Sequence, residues 1–107
     1  MKEDILEEEN FFIYKIHQEK FKEFTIFLSL SSGDATMYLS KGHEQIPSLK
    51  QYWKKTPSGK GGDLVVQRSD FKDEPPTAFT VGIFAKKKSH ITLLYKPNFH
   101  NLINLKF

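Results

Sequence analysis

Four histidines, His17, His43, His90 and His100, are the chain's candidates for metal ligation and proton transfer. No two of them stand two or four residues apart, the separations that set a pair of imidazoles side by side on one strand or helix face. His90 falls among the polar neighbours Ser89 and Thr92 and reads as exposed. No serine occupies a Gly-x-Ser-x-Gly turn or has an acid and a base close by. The stretch Ser58-Gly59-Lys60-Gly61-Gly62 has the glycine and lysine content of a phosphate cradle. It lacks the leading glycine and the trailing Ser or Thr of that motif, and reads as a flexible loop. Cysteine is absent, which excludes disulfides, zinc-thiolate sites and thiol catalysis. These residues assemble no catalytic constellation, so the expected class is a non-enzyme.

The remaining candidates are suited to binding. Tyr38, Tyr52 and Trp53, if they share one outer sheet face, form a flat apolar platform with polar handles for a polypeptide or a sugar. Lys86, Lys87 and Lys88, with Lys96 nearby, suggest an approach to anionic lipid, but lysines at a turn commonly serve solubility and edge protection. The formal net charge is +3 with a pI near 9.1. Its distribution is uneven: Glu3, Asp4, Glu7, Glu8 and Glu9 face only Lys2 in the first ten residues, and the rest of the chain is basic. Nucleic-acid binding calls for a denser stripe of Arg and Lys than a chain whose only arginine is Arg68.

Strands must position these residues. Alanine occurs only at Ala35, Ala78 and Ala85, a poor supply for helices. Strict alternation recurs instead, the pattern of half-buried strands. It puts Phe12, Tyr14 and Ile16 on one face, and likewise Phe24, Ile26, Leu28 and Leu30. Ala35, Met37 and Leu39 point inward against Thr36, Tyr38 and Ser40 outward. Phe79, Val81, Ile83 and Ala85 share a face, as do Ile91, Leu93 and Tyr95, and Leu64 to Gln67 adds a shorter strand. The predicted core comprises Tyr14, Phe24, Ile26, Leu28, Met37, Leu39, Val81, Ile83 and Leu93. Ser32-Gly33-Asp34 and the Lys86–Lys88 run read as hairpin turns. Thr56 to Asp63 and Asp73 to Pro76 are loops by composition, and one helical turn is expected around Ser48 to Trp53.

The whole predicts an all-β fold: an antiparallel sandwich or jelly roll of about seven to eight strands in a single domain over residues 1–107. Residues 1–10 form an acidic leader, the sandwich spans about 11–95, and an apolar tail covers 96–107 with Phe99, Leu102, Ile103, Leu105 and Phe107. Such a tail suits docking on a partner, which makes a small structural subunit of a larger assembly the alternative reading. No apolar run reaches the roughly 20 residues of a membrane helix, so no membrane span is expected, and the start lacks the apolar stretch of a secretory signal.

In their order, these strands resemble the bacterial pre-peptidase C-terminal domain. GDATMYLSKG at Gly33 to Gly42 is similar to that family's Gly-Asp-Ala-Asp-Leu-Tyr-Val signature followed by a basic residue and glycine. Pro47, Tyr52 and Trp53 resemble the Pro- and Tyr-rich stretch that follows. FTVGIFA at Phe79 to Ala85 and SHITLLY at Ser89 to Tyr95 look like its last two strands. The resemblance covers about residues 9–95. It implies a small non-catalytic accessory module, appended to secreted peptidases, that contacts protein or polymer, with an extracellular location and no cofactor. Related clostridial collagen-binding domains hold calcium through an acidic N-terminal segment and nearby aspartates. By that likeness Glu8, Glu9, Asn10 and Asp34 are the metal candidates here. Thr36 replaces the signature's second acid, so the implied calcium binding is weak.

Overall fold

The structure, a computed structural model, describes residues 2–43 and 46–97. The tail contacts expected of Phe99, Leu102, Ile103, Leu105 and Phe107 lie outside the described residues, as does His100. The chain forms β1 (Lys2–Leu6), β2 (Phe11–His17), β3 (Phe24–Lys41), β4 (Lys54–Lys55), β5 (Gly62–Val66) and β6 (Ala78–Pro97), with one 3-10 turn at Arg68–Asp70. Every pairing is antiparallel, giving the all-β architecture the alternation predicts.

The two long strands, β3 and β6, pair along almost their whole length, from Phe24↔Pro97 to Lys41↔Phe79. A straight strand of 18 residues would extend about 60 Å, longer than the molecule's greatest dimension of 47 Å. Both strands therefore bend, and the register slips between Leu30 and Ala35 mark where. On the far side of β6, β1 pairs with Ser89–Leu93 and β2 with Ala78–Phe84. On the far side of β3, β5 pairs with Phe24–Leu28 and β4 with Tyr38–Leu39. The sheet thus consists of four lanes, each turning at one level: at Glu7–Asn10, at Lys86–Lys88, at Ser31–Asp34 and at Thr56–Gly61. Folded there, it becomes two facing layers, β2-β6-β3-β4 and β1-β6-β3-β5, an arrangement consistent with a β-sandwich.

The expected hairpins at Ser32-Gly33-Asp34 and Lys86–Lys88 are corrected by this arrangement. Each is a bend inside a continuous strand. Gly33 adopts φ 102°, a left-handed value that a tight turn and a bulge both require, so the glycine signal does not separate the two. A side chain at Gly33 would also collide with the Lys88 carbonyl and Ser89. Ser89, fully buried, fastens the two bends together. Its hydroxyl donates to the Lys87 carbonyl at 2.7 Å and accepts the Asp34 N–H at 2.9 Å. The expected seven to eight strands are six, because β3 and β6 each run on through a bend where two strands were expected.

Two further expectations change. The acidic leader is not outside the fold: Lys2–Leu6 is an edge strand, and Leu6 belongs to the core. The expected helical turn near Ser48 is a tight turn in which Ser48 and Gln51 exchange backbone hydrogen bonds of 2.8 and 3.3 Å.

The core lies between the layers. Of the predicted core residues, all are buried except Tyr14, which is half-buried and packs against the cluster. The two halves of the ladder meet there: the rings of Phe24 and Phe79 are 5.0 Å apart, edge to face. Phe21, Trp53 and Phe71 extend this aromatic cluster.

Candidate functional site: the outer face of the β2 layer

Alternation along β2, β6 and β3 sends one side chain in two out of the layer β2-β6-β3-β4. On that outer face lie Phe11 and Ile13 from β2, Thr80, Gly82 and Phe84 from β6, and Thr36, Tyr38 and Ser40 from β3. Thr36, Tyr38 and Ser40 point outward as expected, yet they are buried. The segment from Ile46 to Tyr52 crosses the face at Tyr38 and Gly82, and Gly59 meets Thr36. Pro47 is fully buried against the sheet, and Trp53 N–H anchors the crossing to the Leu39 carbonyl at 2.8 Å. Gly82 makes the close approach possible: a Cβ there would meet the Phe11 ring and come within 3.0 Å of Pro47.

The result is a continuous apolar strip. Phe11 packs on Phe84 with ring centroids 6.0 Å apart, and Tyr38 on Tyr52 at 5.4 Å. Much of it remains in solvent: Tyr52 is 41% exposed, Ile13 37% and Phe11 36%, and in the crossing segment Ile46 is 57% and Leu49 54% exposed. The Lys55 ammonium sits 5.9 Å from the Tyr52 ring, and Lys15 is exposed on the same face of β2 as Phe11 and Ile13. The outer face of the β1 layer also exposes apolar residues, Ile5, Phe27, Val65 and Leu94, interspersed with Glu3, Thr25, Ser29, Asp63 and Lys96.

The platform expected of Tyr38, Tyr52 and Trp53 is divided between two places. Tyr38 and Tyr52 pair on the outer face, where burial pushes the Tyr38 phenol above its ordinary value. Trp53 turns the other way, packing on Phe71 at 5.2 Å and Phe79 at 6.3 Å. The ammonium groups of Lys41 and Lys54 stand 5.4 and 5.0 Å from its ring. Lys54 is also paired with Asp70 at 3.3 Å.

Of the metal candidates, Glu8, Glu9 and Asn10 sit in the turn between β1 and β2 on one flank of β6. Glu9 takes φ 65° there and donates its N–H to the Ala85 carbonyl at 2.7 Å. Asp34 belongs to β3 on the other flank, with its carboxylate beside Gly59. Among the described residues no three His, Asp or Glu side chains gather to hold one ion.

His17 and His43, which spacing kept apart, come within 6.2 Å ring to ring, and the His43 Nε2 lies 2.8 Å from the Ile16 carbonyl. Next to them an open cleft of about 380 Å³ is walled by Gln18, Lys20, Lys22, Tyr95 and Pro97. Gln18, unremarked in the sequence, is buried and closes this turn: its amide bonds the Tyr95 hydroxyl at 2.8 Å and both backbone groups of Lys22. The loop expected to be flexible at Ser58 to Gly62 is instead tied to β3. Gly59 N–H donates to the Thr36 hydroxyl at 2.9 Å, and Thr56 exchanges two hydrogen bonds with Met37.

No helix among the described residues is long and apolar enough to cross a membrane. Compared with protein-family models, with curated proteins and with solved structures, the chain matches none.

Proposed function

We propose that this chain is a non-catalytic binding module that engages a protein or polymer partner through the outer face of the β2 layer. The observation that carries the reading is that exposed Phe11 and Ile13 of β2 share one outer face with Tyr52 on Tyr38, a face crossed by the segment that also carries exposed Ile46 and Leu49. Exposed apolar residues scattered singly need no explanation; a contiguous group with a charged border is the usual anatomy of a contact surface. Tyr52 adds the amphipathic ring that such surfaces favour. Lys15 and Lys55 border the face, so the fitting partner is a polypeptide segment with apolar anchors and acidic flanks. The accessory role implied by the resemblance to pre-peptidase C-terminal domains agrees with this reading. A photo-crosslinking residue at Leu49 should form adducts with the partner in extract from the native source, and unlabelled domain should compete them away. Adducts equally abundant from the same probe at Val65 would overturn the assignment.

A further inference from the structure

Among the described residues the folded sheet ends in four edge segments, β1 and β2 beside β6 and β4 and β5 beside β3. Open edges invite pairing with another chain, and folded proteins block them. Three of these edges are blocked or short. The Asp4 carboxylate accepts the Ile5 N–H at 2.8 Å on β1. Lys54 Nζ donates to the Val65 carbonyl at 3.0 Å on β5, and β4 has two residues. On β2 the side-chain contact of this kind is His43 Nε2, 2.8 Å from the Ile16 carbonyl near the strand's end; the strand runs seven residues without proline or internal bulge, and among the described residues it pairs only with β6.

The hydrogen-bond phase of that edge follows from its ends. Ala85 N–H donates to the Asn10 carbonyl at 3.1 Å, and Gln18 N–H to the Thr77 carbonyl at 2.7 Å. Even-numbered residues therefore face β6, and alternation turns the backbone groups of Phe11, Ile13, Lys15 and His17 toward the open side.

We propose that two copies of this chain pair antiparallel along β2, about a two-fold axis at Tyr14. In that register Phe11 stands opposite the partner's His17, and Ile13 opposite the partner's Lys15. All four outward residues then exchange backbone hydrogen bonds, and the aliphatic stem of Lys15 covers the exposed Ile13. Charge favours a second copy as the occupant. Glu8 and Glu9 precede the strand, with Glu7 loosely paired to Lys88 at 3.9 Å. Lys15, Lys20 and Lys22 lie at the other end with Glu19, while the Glu23 carboxylate accepts the Arg68 N–H at 2.9 Å. An antiparallel two-fold sets the acidic turn of each copy against the lysines of the other, with Glu8 opposite Lys20. The contact uses the backbone edge of β2 and borders the face proposed above at Phe11 and Ile13, but edge and charge support it without that reading.

The test is sedimentation of the full chain from low micromolar to millimolar concentration, the range of small, transient interfaces. Mass should rise from 12.5 kDa toward twice that value. Lys15→Pro removes an outward N–H while leaving the bonds to β6, and it should sediment as a monomer with its melting temperature kept. Should that variant unfold, Glu8→Lys should weaken the dimer about tenfold and Lys20→Glu in the same chain should restore it, a change of ~1.4 kcal/mol. Amide exchange should slow at Phe11, Ile13, Lys15 and His17 as concentration rises. A monomer throughout, a dimer that survives Lys15→Pro, or odd-residue protection in a monomer would each overturn the proposal. The last would mean that another segment of the same chain covers the edge.

Discussion

Phe24 and Phe79 stand at opposite ends of one β-ladder and touch. Phe24 pairs with Pro97 and Phe79 with Lys41, yet their ring centroids are 5.0 Å apart at an interplanar angle of 69°. Only a sheet folded across its own strands brings these ends together. The contact therefore reports the closure of the two layers, independently of the strand pairing itself.

Phe79→Ala is expected to cost ~3–5 kcal/mol of unfolding free energy, because the ring is fully buried. A double-mutant cycle with Phe24→Leu and Phe79→Leu should give a coupling of about 0.5–1.5 kcal/mol, measured by urea unfolding. Additivity would mean that the layers close without this pair.

Ser89→Ala should destabilise by ~0.5–1.5 kcal/mol, since it removes the acceptor of the Asp34 N–H and the donor to Lys87 at a part-buried bend. Ser89→Thr would not restore the loss if the extra methyl finds no room. A midpoint unchanged in Ser89→Ala would show that the bends hold without this clamp.

Burial raises the Tyr38 phenol above its ordinary value near 10.0; the hydrogen bond with Thr36 opposes the shift and Tyr52 beside it adds to it. Between the unfolded value and the higher folded one, the unfolded chain releases a proton that the folded chain retains. Stability from this group is therefore complete below pH 10 and declines as pH rises through the folded value. Tyr38→Phe should show a shallower alkaline loss of stability than the native chain, and equal slopes would contradict the shift.

Calcium is expected to change the melting temperature little between chelator and about 1 mM, because Glu8 and Glu9 lie on one flank of β6 and Asp34 on the other. A rise of about ten degrees or more, lost in Glu9→Ala or Asp34→Ala, would show a tighter oxygen cage than this arrangement suggests.

The longer strands, their inward faces and the centre of the core were legible because alternation is a local property of Phe24 to Leu30 or Phe79 to Ala85; the edge strand Lys2–Leu6 and the short Lys54–Lys55 pairing were not. Nor were the bends. Gly33 and the lysine run carry the composition of a turn, and only the long-range register decides whether a strand reverses or folds over. The same limit hid the site. Outward residues such as Tyr38 and Ser40 read as solvent-facing, since nothing local shows that Pro47 lies across them. Tyr52 and Trp53 are adjacent in sequence, but extended backbone sends neighbours to opposite sides, one to the outer face of the β2 layer and the other to the core.

The most direct test of the binding face compares retention of a partner from native extract by three forms of the immobilised domain. These are the native chain, Leu49→Asp/Tyr52→Ser on the β2 layer, and Val65→Asp/Leu94→Asp on the opposite face. All substitutions fall at exposed side chains, so melting temperatures should agree, and this is checked first. The native chain and the Val65/Leu94 variant should retain the same partner, and the Leu49/Tyr52 variant should lose it. Equal retention by the Leu49/Tyr52 variant would contradict the assignment of function to this face.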